Sequence, residues 1–364
     1  MRMAILRDKI AYVLEQGERE TRLLPLEVLA VLYGGIIRLR NLAFDVGFLK
    51  VKKPACKVIS VGNITVGGTG KTPMAVMLAD MLRKRGFRPA VLSRGYGGSR
   101  KRKFTIVSDG ENILRNPKEA GDEPALIARA LANVPVITGK RRYFTGSYAV
   151  RCFGADVLVL DDGFQHRAVD RDVDIVLLDR EKPFGNGHML PRGGLREPRR
   201  SLKRADILVL TGTERVGDES SVPVCSHYLA QHPVFQACRC PQHLVKGIAK
   251  DVYPLEYLKG KKVCAFSGIA RPEQFRKTLE PLCKEITSFI DFPDHHMYER
   301  VDVEKICRTL RATSADLIIT TEKDGVKLTD YPEFLNTIYQ LRIQMEIAGG
   351  PDEFEAIIME TLTK

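Results

Sequence analysis

One stretch of this chain has the residue types and order needed to hold phosphate. Val58-Ile59-Ser60-Val61 leads through Gly62-Asn63-Ile64-Thr65-Val66 into Gly67-Gly68-Thr69-Gly70-Lys71-Thr72, and Pro73 to Arg85 follow as a predicted helix. Glycines let successive backbone N–H groups curl round phosphate oxygens, the lysine adds a charge at the outer phosphates, and the threonine hydroxyl can ligate Mg²⁺. This is a Walker A loop between a strand and a helix, with one departure: Thr65 stands where the strict pattern has its first glycine. Nucleotide binding is expected at Gly67, Gly68, Thr69, Gly70, Lys71 and Thr72.

Acids follow in places where they could serve such a loop. Val157-Leu158-Val159-Leu160 ends in Asp161-Asp162-Gly163-Phe164-Gln165-His166, an apolar strand that delivers carboxylates to a sheet edge as a Walker B segment does, to hold Mg²⁺ directly or through water. The two acids point differently, so one can face metal and the other substrate, although Asp-Gly is also turn chemistry. Gly121-Asp122-Glu123-Pro124 reads equally as a helix cap and as a catalytic pair. Phe184-Gly185-Asn186-Gly187-His188 through Leu195-Arg196-Glu197 lacks the helix start of a dinucleotide site, and its arginines suit an anionic group. Asp294-His295-His296 offers too few ligands for zinc. Thr321-Glu322-Lys323-Asp324 is like a guanine-specificity motif, but its second acid directly follows the lysine, which argues against a GTP switch.

The elements that must position these residues are legible as short Val/Ile/Leu runs alternating with helical patterns: 58–61, 89–93, 134–138, 157–160, 175–178 and 207–210. Runs of this kind are strands buried on both faces of a mainly parallel sheet, so the fold class is α/β. The sequence turns polar from Thr211 to about Pro233, which predicts a boundary between a core domain over 50–230 and a smaller α/β domain over 231–364, with strands at 263–267 and 317–321 and helices near 273–282 and 303–312. Within 24–49 the longest stretch free of charge is Val28–Ile37, short of the ~20 residues that span a bilayer. Its Leu29, Leu32, Ile36 and Leu39 recur at helical spacing beside Arg38, Arg40, Lys50, Lys52 and Lys53. Such a helix can lie in a membrane interface or dock on the core.

With 364 residues, 44% of them hydrophobic and 28% charged, the composition is that of a globular protein, and the +12 formal charge requires an anionic partner of some kind. Nucleic acid is not expected, because no helix-turn-helix, zinc-finger or ribonucleoprotein signature accompanies the basic residues. Eight cysteines without a CxxC pair read as reduced thiols, with only Cys238 and Cys240 as near neighbours. No secretory signal pattern opens the chain.

Taken together and in order, the phosphate loop, Ser93-Arg94-Gly95-Tyr96-Gly97, Gly121-Asp122-Glu123-Pro124, Asp161 to His166, Phe184 to Gly187, Leu195-Arg196-Glu197, Asp294-His295 and Thr321 to Asp324 closely resemble the tetraacyldisaccharide 4'-kinase family of lipid A synthesis. The resemblance covers most of the chain. It implies a P-loop NTPase-like core with a smaller second domain, and transfer of the ATP γ-phosphoryl group, with Mg²⁺, to the 4'-hydroxyl of a lipid A disaccharide 1-phosphate. It also implies a peripheral place at the cytoplasmic face of the inner membrane, with residues 1–49 as a membrane-associating segment; no obligate protein partner is evident in the sequence. By the same resemblance Lys71 and Thr72 hold phosphate and Mg²⁺ with Asp161 and Asp162, Asp122 and His295 act together on the acceptor hydroxyl, and Tyr96, Glu123, Arg142, Gln165, His166, Asn186 and Arg196 lie on the substrate side.

Overall fold

The structure, a computed structural model, describes residues 23–95, 103–213, 230–248 and 251–364. In chain order the first half is helix α1 (Leu24–Asp45), strand β1 (Lys57–Gly62), α2 (Lys71–Lys84), β2 (Pro89–Ser93), β3 (Phe104–Ser108), α3 (Pro117–Ala120), α4 (Asp122–Ala130), β4 (Val136–Gly139), α5 (Arg142–Phe153), β5 (Val157–Asp161), β6 (Val173–Asp179) and β7 (Ile207–Thr213). The second half adds β8 (Val234–Lys246), β9 (Asp251–Tyr253), β10 (Lys262–Ser267), α6 (Pro272–Leu279), β11 (Glu285–Asp291), α7 (Arg300–Thr313), β12 (Leu317–Thr321), α8 (Glu322–Lys327), α9 (Pro332–Leu335), β13 (Ile338–Ala348) and α10 (Pro351–Thr363).

The strands form one sheet in the order β11-β10-β12-β13-β8-β7-β6-β1-β5-β2-β4-β3, with β9 paired to β8. From β7 to β4 every pairing is parallel, and β3 closes that edge antiparallel. β5 and β6 are buried throughout because helices cover both faces, which is why their sequences are nearly uninterrupted Val, Ile and Leu. The apolar runs therefore fall where expected, while β3, β8, β11 and β13 emerge from stretches with mixed polarity.

Past residue 230 the packing divides the chain differently from its sequence. β8 joins the first half by pairing parallel with β7, and then runs antiparallel to β13 as a long ribbon into the β10–β12 half. Phe235, Ala237 and Met345 on this ribbon, with Phe354, Ile358 and Leu362 of α10, belong to the same apolar cluster as Met74 and Leu78 of α2. The last three sit at i, i+4 and i+8, one stripe of a helix. The chain end thus returns to the phosphate-loop half, and a cluster around Phe266 and Ile306 fills the other.

Helix α1 is amphipathic in an inverted sense. Its small or polar Ala30, Gly34 and Asn41 face the body, whereas Val28, Val31, Leu32, Ile36, Leu39 and Leu42 are exposed. Hydrogen bonds fix that orientation: the Asn41 amide donates to Glu197 at 2.9 Å, Tyr33 Oη donates to the Arg196 carbonyl at 3.1 Å, and Arg40 donates to the Gln165 carbonyl at 2.6 Å. No described helix is long and apolar enough to cross a membrane.

Candidate active site

β1 ends at Gly62 and the loop that follows opens α2 at Lys71. The left-handed turns fall on Gly67 (φ 117°) and Gly70 (φ 88°), where a side chain would be strained. A Cβ at Gly70 would also stand 2.5 Å from Met345 Cε. Thr65, at the missing glycine, has no positive φ; it is buried and bridges antiparallel to Leu195. Val66 N–H donates to Gly194 O and Arg196 N–H to Ile64 O, each at 2.7 Å. The second glycine-rich stretch is thus a brace for the first, a pairing of residues ~130 apart in sequence. Inside the loop, Asn63 donates to Thr69 Oγ1 at 2.9 Å, and Gln165 donates to the Asn63 carbonyl at 2.8 Å.

β5 lies beside β1, so Asp161 arrives next to the loop. Thr72 Oγ1 is 3.4 Å from Asp161 Oδ1, and Ser93 donates to Asp161 Oδ2 at 3.1 Å. Burial, with Glu123 and Asp162 adding negative charge, pushes the Asp161 carboxyl up to about 7. Asp162 adopts φ 52° and turns the other way. Its carboxylate lies 3.7 Å from Lys71 Nζ and accepts two hydrogen bonds from one Arg196 nitrogen at 2.9 and 3.0 Å. Burial opposes its ionisation, but Lys71 and Arg196 outweigh it and hold the carboxyl below its ordinary value. The adjacent acids therefore separate: Asp161 and Thr72 form a hard-oxygen pair of the kind Mg²⁺ takes, and Asp162 organises two cations.

The third group comes from both halves of the sheet. Asp122 begins α4, and His295 Nδ1 lies 3.2 Å from its Oδ2. Lys327 Nζ, fully buried, is 3.9 Å from the same oxygen, 3.0 Å from Asp324 and 3.2 Å from the Gly268 carbonyl to which it donates. Thr321 caps α8 by accepting from the Asp324 backbone N–H, and the Asp324 carboxylate accepts from the Thr321 hydroxyl and from Gly268 N–H. Lys323 donates to Asp294 at 3.2 Å. The Thr321–Asp324 segment is thus the frame behind the Asp122–His295 pair. His296 parts from its neighbour: it pairs with Asp302 at 2.8 Å and stacks on Phe292.

Two cavities meet at Gly67, Gly68, Lys71 and Glu123. The smaller, ≈ 250 Å³, runs from the phosphate loop to Arg239, Gln274, Phe275 and Thr321. The larger, ≈ 1160 Å³, is bounded by Asp122, Asp162, Arg142, Gln165, His166, Arg196 and His295 and reaches Tyr33, Ile37 and Arg40 of α1. Arg94, Lys118, Lys140 and Lys323 add to its positive lining. Arg142 is buried beneath it and donates to the Gly139 and Asp161 carbonyls, whereas Arg141 is exposed. His166 is held neutral, its pKa lowered to about 4 by burial and by Arg142, Arg171, Arg40 and Arg94. Asn186 is not among the lining residues; it donates to the Arg192 carbonyl and accepts from His188 N–H, which shapes its own loop. Tyr96 lies outside the described residues. Arg239 and Lys327 carry no motif and escape sequence reading; the pairing of β8 with β13 and the packing of α8 against α4 bring them to the site.

A phosphate loop beside an acid-tipped strand, a carboxylate–imidazole pair and a large basic cavity together define a P-loop phosphotransferase. Comparison with known proteins narrows the class. The profile of the family described as tetraacyldisaccharide-1-phosphate 4'-kinase (LpxK) matches residues 22–363. The tetraacyldisaccharide 4'-kinase of Syntrophus aciditrophicus is 45% identical and that of Desulfatibacillum aliphaticivorans 40%, the alignments covering 96% and 99% of both chains respectively. The crystal structure of LpxK from Aquifex aeolicus in complex with ATP aligns with a TM-score of 0.76 at 35% identity, over 94% of this chain and 99% of that one. The chain belongs to the tetraacyldisaccharide-1-phosphate 4'-kinase family, as its ordered motifs imply.

Proposed function

We propose that this chain transfers the γ-phosphoryl group of ATP to the 4'-hydroxyl of tetraacyldisaccharide 1-phosphate, giving lipid IVA in lipid A biosynthesis. The observation that carries the reading is the meeting of the phosphate loop and the Asp122–His295 pair at one basic cavity. ATP lies with its phosphates in the loop and its nucleoside in the cavity under Arg239 and Gln274. Thr72 and Asp161 would hold Mg²⁺, which would supply charge neutralisation at the phosphate oxygens. Lys71 and Arg196, spaced by Asp162, present positive charge to the transferring group. Phosphoryl transfer is loose, so the acceptor hydroxyl needs orientation more than early deprotonation. Asp122 accepts the hydroxyl proton late, with His295 and Lys327 fixing its carboxylate. Glu123, Arg142, Gln165, His166 and Arg196 line the acceptor side.

The acceptor is amphiphilic, and the cavity opens beside Tyr33, Ile37 and Arg40 of α1, whose outer face is apolar. We assign residues 1–49 to the cytoplasmic surface of the inner membrane, held peripherally, with the sugar reaching the site while acyl chains stay in lipid. The halves either side of the β8–β13 ribbon act as two lobes that bring His295 to Asp122.

The test is product formation by the full chain in detergent with Mg²⁺, γ-labelled ATP and the disaccharide 1-phosphate. Labelled 4'-phosphorylated lipid is expected. Asp122→Asn lowers kcat roughly 100-fold or more with ATP affinity kept, whereas Lys71→Ala weakens both. ATP turnover without labelled lipid, or equal loss of ATP affinity in the two variants, would refute the reading.

A further inference from the structure

The two cysteines that are near neighbours in the sequence are also neighbours in space. Cys238 and Cys240 stand two apart on β8, where the ladder with β13 is regular, so both side chains leave the same face. Their sulfurs lie 3.2 Å apart. Glu346, the cross-strand partner of Cys238, shares that face, and one atom from each of the three falls within 4.8 Å of the others. Gln242, next along the face, donates to Glu346 Oε1 at 2.6 Å and holds the carboxylate. Cys238 is buried, Cys240 half-buried and Glu346 exposed, which leaves a route from solvent.

We propose that Cys238, Cys240 and Glu346 form a binding site for one divalent cation of the zinc class, distinct from the Mg²⁺ position at Thr72 and Asp161. Two thiolates and a carboxylate suit a borderline-soft ion, and water completes four-coordination. Geometry separates this from a disulfide. A tetrahedral ion at ~2.3 Å from each sulfur holds them ~3.8 Å apart, an adjustment of about 0.6 Å, whereas an S–S bond of ~2.05 Å needs about 1.2 Å. Strand residues two apart also have Cα atoms ~6.6 Å apart, at the far end of the disulfide range. The step balances as one M²⁺ and two thiols giving a dithiolate complex and two protons.

The site has a reason to matter. Between the two cysteines, Arg239 points to the opposite face and donates to the Gly68 carbonyl of the phosphate loop at 2.6 Å and to Gln274 at 3.0 Å. Met345, its cross-strand partner, abuts Gly70. An ion that clamps residues 238 and 240 fixes Arg239 and stiffens the ribbon under the nucleotide cleft.

The probe is Co²⁺, added anaerobically to the reduced, chelator-stripped full chain, followed by Zn²⁺ competition. Expected are one Co²⁺ per chain with a thiolate-to-cobalt charge-transfer band, two protons released in weak buffer, and displacement by Zn²⁺. Binding to oxygen ligands at Thr72 and Asp161 gives no such band. Cys240→Ser abolishes it, and Glu346→Gln weakens Co²⁺ affinity by roughly tenfold or more; both positions are accessible, and unchanged melting curves verify the fold. Zn²⁺ also slows amide exchange at 238–240 in the wild type and not in Cys240→Ser. A reduced chain without the band, a band that survives Cys240→Ser, or closure of a Cys238–Cys240 disulfide by mild oxidant in a chain that binds no Co²⁺ would each overturn the site.

Discussion

Ile36 and Leu39 on α1 offer a sharp test of how this protein meets its lipid. They leave 66% and 68% of their surface in water, and neither lines the acceptor cavity. Complete burial of such a side chain contributes ~1.5–3 kcal/mol. Two-thirds of that is ~1–2 kcal/mol each, or ~2–4 kcal/mol for the pair if the exposed portion enters lipid. Ile36→Ser with Leu39→Ser should therefore lower the partition coefficient onto vesicles by about 30- to 1,000-fold, since ~1.4 kcal/mol is tenfold. The face that holds α1 to the body, through Ala30, Gly34 and Asn41, is untouched, so the melting temperature should stay within a degree or so, as surface changes of under ~0.5 kcal/mol allow. Flotation of the full chain with vesicles of anionic and zwitterionic lipid measures the partition. In detergent, where lipid docking is bypassed, kcat should be retained. If the double variant floats like the parent, α1 is not the lipid-facing element. If instead it melts early, its outer face is covered by protein, and the interfacial assignment of this helix fails.

Other outcomes follow from the site. Asp161→Asn should raise the Mg²⁺ concentration for half-maximal activity, because Asp161 meets Thr72, whereas Asp162→Asn should leave that concentration nearly unchanged and lower kcat by releasing Lys71 and Arg196; the reverse pattern in Mg²⁺ titrations would exchange their roles. Gly70→Ala should weaken ATP binding by roughly tenfold, since a left-handed residue costs ~1–2 kcal/mol and the new Cβ also meets Met345; calorimetry with ATP decides, and full affinity would contradict the loop geometry. His166 should remain neutral down to about pH 4 in the folded chain. Because the unfolded imidazole takes its proton near 6.5, the unfolded state binds more protons between those values, and stability falls as pH drops from 6.5 towards 4. His166→Gln should flatten that limb of the melting-temperature curve, and an imidazole signal titrating near 6.5 would disprove it.

Much of the site could be read directly because local chemistry demands it. A loop that wraps phosphate needs glycines, Lys71 and Thr72 in sequence, and a buried strand that presents Asp161 must be apolar up to its tip. The departure at Thr65 is harmless because positive φ is needed at Gly67 and Gly70 instead. The ordered blocks also placed Asp122 and His295, which are 3.2 Å apart across 173 residues. Less visible were β8 and β13, whose faces change polarity as the ribbon crosses from one half to the other, and α10, whose stripe gains meaning only against α2.

Residue type and spacing alone determined that the chain binds phosphate on an α/β core, since those features act within a few residues of one another. Tertiary structure alone decided which of the two acids meets Thr72, that Arg239 and Lys327 back the site, that Asn186 shapes its own loop, and that the large side chains of α1 face outward. Each depends on pairing or burial between distant segments, which a strand's apolar content permits but does not specify: β1 meets β5 by register, and α1 turns its small residues inward because Glu197, Gln165 and Arg196 hold it there.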